Sequence, residues 1–424
     1  MRFLTTRGQA PPVDFRTALF DGLAPDGGLY VPETIEPWTA SDLERLPRRT
    51  LTEIALRALR PFMRGEVDAA TLEAVVVEAL DFPIPLVEVE SGVFALELFH
   101  GPTLAFKDVG ARVMARVMAA MHTADDPLTV LAATSGDTGS AVAHAFYRVP
   151  HTRVVILYPD GRVSPTQEAQ LAMFNGERAN VRAYAVAGSF DDCHRLTREA
   201  FGDRDLRRSL RLTSANSVNV GRLLPQMVYY FHAVAQLGGA KVAFSTPSGN
   251  FGNLTAGLMA KRSGLAVDRF IAATNANDVV PAYLSTGLFQ PRPSVQTLAN
   301  AMDVGHPSNF ERMSWLYGGS LDAMRADVSG SRHSDDDVRA TIRDVFGRRG
   351  YLLDPHSAIA YRGLAGRAGV FLATAHPAKF AEIVDPIIGR PVEKPEPLAR
   401  ALARPRHIIR IEASLDAVRA ILCS

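Results

Sequence analysis

The chain has 424 residues, enough for two or three packed units rather than one small core. Hydrophobic residues make up 47% and charged residues 21%, a globular balance that excludes a disordered chain. The formal net charge of +1 supplies no bulk field to attract nucleic acid or an anionic membrane, which points to a small-molecule partner.

Read in order, the first residues carry no apolar run that could serve as a secretory signal, so a cytosolic protein is expected. Loops rich in Pro and Gly occupy residues 24–37, and helical apolar spacing follows over residues 51–59 and 69–80. These define an N-terminal unit, residues 1–82, closing near Asp81-Phe82-Pro83. Residues 83–390 read as the catalytic part. A strand-like run at 94–99 leads into a helix with Val109, Val113, Val117 and Met121 spaced by four. From residue 128 onward, strand-like runs alternate with helical patterns: strands at 128–133, 153–158, 181–186, 241–245, 269–274 and 370–374, helices at 140–147 and 253–262. This alternation predicts an α/β fold whose parallel sheets are covered on both faces. The uncharged stretch 223–240 contains Pro225, Gln226, His232 and Gln236, polar groups costly in hydrocarbon, and reads as a buried core helix. Between 291 and 349 the pattern weakens and turns polar, as an insertion or lid would. Residues 391–424 form a C-terminal extension.

Cys193 and Cys423 show no disulfide framework, and no His or carboxylate pair has zinc-ligand spacing, so no catalytic metal is expected. Lysine is rare: Lys107, Lys241, Lys261, Lys379 and Lys394 are the only five. Arginine keeps its proton and cannot attack an aldehyde, so any Schiff-base chemistry must use one of these amines.

Four constellations carry chemical information. In His100-Gly101-Pro102-Thr103-Leu104-Ala105-Phe106-Lys107-Asp108, a lysine stands at the entry to a helix among apolar neighbours, which favour its neutral, nucleophilic form. The plainer alternative is a surface lysine, although a cation at a helix N-terminus opposes the dipole. Thr134-Ser135-Gly136-Asp137-Thr138-Gly139-Ser140 places hydroxyls and backbone N–H groups where a strand gives way to a helix, either as an anion cradle or as an ordinary cap. Ser248-Gly249-Asn250-Phe251-Gly252-Asn253 repeats the arrangement, with two glycines that allow close approach to a phosphate. It is neither a P-loop nor a dinucleotide fingerprint, since the spacings fail. Ala373-Thr374-Ala375-His376-Pro377-Ala378-Lys379-Phe380 marks another strand end, where His376 reads as a structural residue. Together these motifs call for an electrophilic cofactor with a phosphate, held covalently by a lysine. Pyridoxal 5'-phosphate (PLP) meets that description.

These runs, with residues 24–32, 158–167 and 216–226, resemble in order the motifs of the threonine synthase family, among the fold type II (tryptophan synthase β-like) PLP enzymes. The resemblance spans nearly the whole chain. It implies two α/β subdomains with the cofactor between them and a small N-terminal unit. It implies that Lys107 carries PLP, that Ser248, Gly249, Asn250, Phe251, Gly252 and Asn253 bind the cofactor phosphate, that Asp137 lies near the 3-hydroxyl, and that Thr374 meets the pyridine nitrogen. Ser135, Thr138, Arg162, Asn216 and Ser217 are the candidate substrate ligands, with Arg162 standing where relatives often have Lys and Asn216 open to a purely structural turn role. The implied reaction converts O-phospho-L-homoserine and water into L-threonine and phosphate by γ-elimination and β-addition. The alternatives are a phospho-lyase giving 2-oxobutyrate, a serine or threonine dehydratase of the same fold, and a non-catalytic PLP-binding protein. A monomer or homodimer is expected.

Overall fold

The computed structural model describes residues 1–122, 127–134, 136–175 and 180–424. Thirteen strands occur among them: β1 (Phe3–Thr5), β2 (Tyr30–Pro32), β3 (Leu86–Glu90), β4 (Val93–Glu97), β5 (Leu128–Ala133), β6 (Thr152–Pro159), β7 (Val181–Val186), β8 (Arg211–Ser214), β9 (Val242–Pro247), β10 (Val267–Thr274), β11 (Val328–Arg332), β12 (Gly369–Ala373) and β13 (Ile409–Ile411). They form three sheets. β1 and β2 pair antiparallel within the N-terminal part. A six-stranded sheet runs β11-β10-β9-β12-β4-β3, parallel except for the β3–β4 hairpin, and a five-stranded parallel sheet runs β13-β7-β6-β5-β8. The runs expected from residue 128 onward are thus strands of parallel sheets, and their near-continuous apolar character follows from burial on both faces: every residue of β5 and β12 is buried.

Local chemistry explains where the helices start. Thr50 caps the helix Leu51–Met63 by accepting from the N–H of Glu53, whose carboxylate returns the bond to Thr50. Asp68 caps Ala69–Ala79 in the same acceptor role. Both pack their apolar faces into the main hydrophobic cluster, which also takes in Val109, Val113 and Val117 of the helix Lys107–Met121.

Three stretches differ from their local reading. The 223–240 run is a broken helix: Pro225 lies in a 3₁₀ turn, Leu224–Gln226, and Met227–Gln236 continues almost wholly buried. The polar 291–349 stretch supplies β11, which pairs in parallel with β10, and the capped helix Asp335–Arg349. The C-terminal 391–424 segment supplies β13, which extends the five-stranded sheet beside β7. Short edge strands such as β11 and β13 lack a strong pattern of their own, since each needs one neighbour and one covered face.

Candidate active site

The polar turns singled out by the sequence lie at the carboxyl ends of parallel strands, where open α/β sheets gather their ligand-binding loops. Thr134 follows β5, Ser248 follows β9, Asn216 follows β8, and Thr374 follows β12. All four line one cavity of about 900 Å³, and Lys107 lies in its wall.

Lys107 is held there by main-chain bonds. Leu104 adopts a left-handed conformation (φ 57°), which turns the chain so that Phe106 N–H donates to Thr374 O at 2.9 Å. Ala105 bridges to Ala375. This clasp ties the first turn of Lys107–Met121 to the end of β12 and brings residues far apart in sequence to one wall. The Lys107 amine is largely enclosed, 3.9 Å from Asp137 Oδ2 and over the Phe106 ring at 4.9 Å. Burial lowers its pKa to about 8, with the neighbouring Lys379 and Arg222 pulling in the same direction and Asp137 opposing. Asp137 begins the helix Asp137–Phe146. Burial alone would raise its carboxyl, but Lys379 and Lys107 outweigh that and hold it well below the usual carboxylate range.

The loop after β9 has the features of a phosphate cradle. Gly249 passes so close to Met302 that a side chain has no room, a β-carbon falling 2.7 Å from Met302 Cα. Phe251 takes the left-handed conformation (φ 59°) and caps Gly252–Arg262 without a side-chain bond. Ser248 Oγ donates to Asn253 Oδ1, and Asn253 Nδ2 donates to Pro247 O at 2.9 Å, so the two side chains brace the loop from within. The N–H groups of Gly249, Asn250, Phe251 and Gly252 meet no acceptor among the described residues, and they cluster at a helix N-terminus that lines the cavity. A phosphate-bearing aldehyde that bonds to Lys107 fits these donors.

The other candidates divide. Thr138, Asn216 and Ser217 line the cavity, and Ser217 Oγ accepts from Asn250 Nδ2 at 2.6 Å. Ser135 lies outside the described residues. Arg162 does not line the cavity; it is exposed on the turn after β6, so the structure does not bring it to Lys107. His376 caps the 3₁₀ turn Pro377–Phe380 through Nδ1 and packs edge-on against Phe99, as a structural residue does. Among the described residues no cluster of His, Cys, Asp or Glu has the make-up of a metal site.

Two features escaped the reading of the sequence. Arg222 is buried in the cavity wall, Nη1 donating to Ala215 O at 2.8 Å while Nε has no partner. Burial lowers its pKa to about 10, with Asp108 opposing. Asn216 Oδ1 beside it is also buried without a partner. Arg222 reaches this wall because helix Lys107–Met121 has a glycine where it crosses: a β-carbon on Gly110 would come 2.6 Å from Arg222 O. The second feature is Gln167, which closes the capping box of the helix Pro165–Ala172 by accepting from Ser164 N–H and donates to Asp137 Oδ1 at 3.1 Å. Both lie inside runs that carry the resemblance, but no local pattern marks an arginine or a glutamine as buried.

Sheets, cavity and enclosed lysine together place the chain among fold type II PLP-dependent enzymes; a family model described as pyridoxal-phosphate dependent enzyme matches residues 78–373. Two more models match, threonine synthase N terminus over residues 2–80 and threonine synthase C-terminal over 357–422. The threonine synthase of Haemophilus influenzae is 47% identical over 397 residues, covering 91% of each chain. That of Escherichia coli K12 is 42% identical, covering 100% of this chain and 99% of its own. The crystal structure of the Escherichia coli enzyme superposes with a TM-score of 0.94 at 41% identity, over 100% of this chain and 99% of that one. A PLP-bound threonine synthase from Brucella melitensis gives 0.92 at 38% identity, over 100% and 98%. The chain belongs to the threonine synthase family.

Proposed function

We propose that this enzyme is a threonine synthase, converting O-phospho-L-homoserine and water into L-threonine and phosphate. The observation that carries the reading is the Lys107 amine, lowered to about 8, in a cavity that also holds free loop N–H groups and the Arg222 guanidinium, whose Nε has no partner among the described residues. Full-length likeness to threonine synthases supports the choice of substrate.

Bound PLP supplies the electron sink that makes the substrate's α- and β-hydrogens acidic. The chain's own groups do the rest. Lys107, enclosed and able to lose its proton near neutrality, takes and returns protons at the substrate's α-carbon. The N–H groups of residues 249–252 hold the cofactor phosphate, with Ser248 and Asn253 bracing them. Asp137 would stand near the cofactor's 3-hydroxyl and Thr374 would face its pyridine nitrogen; a hydroxyl there, unlike a carboxylate, would not force that nitrogen to be protonated. Thr138, with Ser135, receives one anionic end of the substrate. Arg222, Asn216 and Ser217 receive the other, and we assign the substrate phosphate to them because a dianion meets a guanidinium with no carboxylate partner. Arg162, exposed, has no part in this assignment.

The division into residues 1–82, 83–390 and 391–424, cytosolic placement, and a monomer or homodimer belong to the same proposal. Family matches at 2–80 and 78–373 support the first boundary, while the C-terminal match, 357–422, begins ahead of residue 391. Among the described residues no helix is long and apolar enough to cross a membrane. The test is to supply purified enzyme with phosphohomoserine and measure phosphate, threonine and 2-oxobutyrate together. Threonine equal to the phosphate released is the expected result. Phosphate with 2-oxobutyrate in place of threonine would make the protein a phospho-lyase.

A further inference from the structure

Two of the five lysines meet at one carboxylate. Lys379, in the turn after β12, is wholly buried, and its Nζ donates to Asp137 Oδ1 at 2.7 Å and to Thr103 O at 2.9 Å. The other oxygen of Asp137 lies 3.9 Å from Lys107 Nζ. Lys379 itself is absent from the cavity wall, and it acts on the site through its bond to Asp137 and through the field of its charge on Lys107.

The inequality of the two distances matters. A buried carboxylate facing a single lysine forms a close ion pair with it, and the ammonium form of that lysine is then strongly favoured. Such a partner would disarm Lys107, because only the neutral amine can condense with an aldehyde and release water. Lys379 removes the difficulty. It takes the carboxylate in a short charge-assisted bond, with Gln167 Nε2 donating to the same oxygen at 3.1 Å, and leaves Lys107 the weaker, longer contact. We propose that Lys379 is a positioning residue of the cofactor site, a second buried lysine that holds and neutralises Asp137 so that Lys107 presents a free amine. The inference rests on Lys107 being the cofactor lysine.

The charged groups around this cluster come from several elements. Asp137 faces Lys107 from the helix after β5, and Lys107 itself opens the helix between β4 and β5; Lys379 comes from the turn after β12, Arg222 from the helix Val220–Leu223, and Asp354 from the cap of Pro355–Gly363, while Asp137 also faces His356. Of these, Asp137 and Lys379 are changed below to test the inference, and Lys107 to test its premise. A purely structural Lys379 would only buckle the turn after β12 onto the helix Asp137–Phe146, and its loss would lower stability without moving the titration of Lys107.

Cofactor-free protein is mixed with PLP across pH 6–10, and imine formation is followed by its visible absorbance in wild type, Lys379→Met, Asp137→Asn, the double variant and Lys107→Ala. In Lys379→Met, Asp137 turns its whole charge on Lys107, and the midpoint should rise by about one pH unit. In Asp137→Asn it should fall, and the double variant should lie between the two. A folded Lys379→Met with the wild-type midpoint overturns the proposal, as does a double variant that titrates like Lys379→Met. Where Lys379→Met fails to fold, Lys379→Gln, which keeps a donor for Asp137 and Thr103 without the charge, decides in its place: a raised midpoint supports the role, and the wild-type midpoint overturns it. Lys107→Ala separates the premise from the inference, since an imine band that survives in it removes Lys107 as the cofactor lysine, and the inference with it.

Discussion

Gly249 and Met302, 53 residues apart in sequence, approach so closely that a β-carbon on the glycine would lie 2.7 Å from Met302 Cα and 2.9 Å from Met302 O. The contact presses the cofactor-phosphate loop against residues 300–302, and no flexible side chain is there to yield. Gly249→Ala should therefore displace the loop and its N–H donors. Overpacking of this kind costs about 1–3 kcal/mol, so PLP affinity should fall about 10- to 100-fold. Titration of cofactor-free protein with PLP checks this, with circular dichroism to confirm that the helices persist; an unchanged affinity would mean the loop is not the phosphate site.

Lys107→Ala should lose the visible imine band and about 10³-fold or more of its activity, because one amine serves both as cofactor anchor and as proton carrier. The measurement is an absorbance spectrum beside a phosphate-release assay. A band that persists would shift the anchor to Lys241, Lys261, Lys379 or Lys394.

Arg222→Met removes the cation assigned to the substrate phosphate. Charged hydrogen bonds of this kind contribute about 1.5–3 kcal/mol, so kcat/KM for phosphohomoserine should drop about 10- to 100-fold. Stability should hold or rise, since the guanidinium is buried without a carboxylate partner and its desolvation cost disappears with it. Steady-state kinetics and thermal unfolding on the same preparation test both halves. Retained kcat/KM would send the phosphate to another group of the wall.

The pH dependence has a definite sign. The Lys107 amine is lowered from 10.5 to about 8 by burial, so the neutral form grows tenfold per pH unit below about 8 and levels off above it. The rate at which cofactor-free enzyme captures PLP should follow that curve in stopped-flow measurements. The linkage to folding runs the same way. Between about 8 and 10.5 the unfolded chain holds a proton on Lys107 that the folded one has released, so this group's contribution to stability rises with pH across that window. A capture rate flat from pH 6 to 9 would contradict the enclosed amine.

The alternation of strands and helices after residue 128, the helix after Lys107 and the glycine turns at strand ends were legible because each rests on neighbours a few residues away. Such signals are written locally, in apolar period, capping chemistry and backbone freedom. Lys107, the turn holding Asp137 and Thr138, Ser248–Asn253 and the strand end at Thr374 stood out for the same reason, whereas Asn216 and Ser217 and the roles of Asp137 and Thr374 came from the family resemblance; all of them line the cavity. Arg162 was named on a residue-type analogy, and its exposed position separates it from the others.

By itself the sequence determined the parallel α/β framework, the need for a lysine-bound cofactor and the turns that receive it. Only the tertiary structure decided which charges meet. Lys379 and Asp137 are 242 residues apart, Arg222 is marked by nothing in its own segment, and β11 and β13 become strands because a neighbouring sheet edge accepts them. The physical reason is that burial and charge pairing belong to the assembled packing. A lysine reads the same in any sequence, and its chemistry is set by what the fold places around its amine.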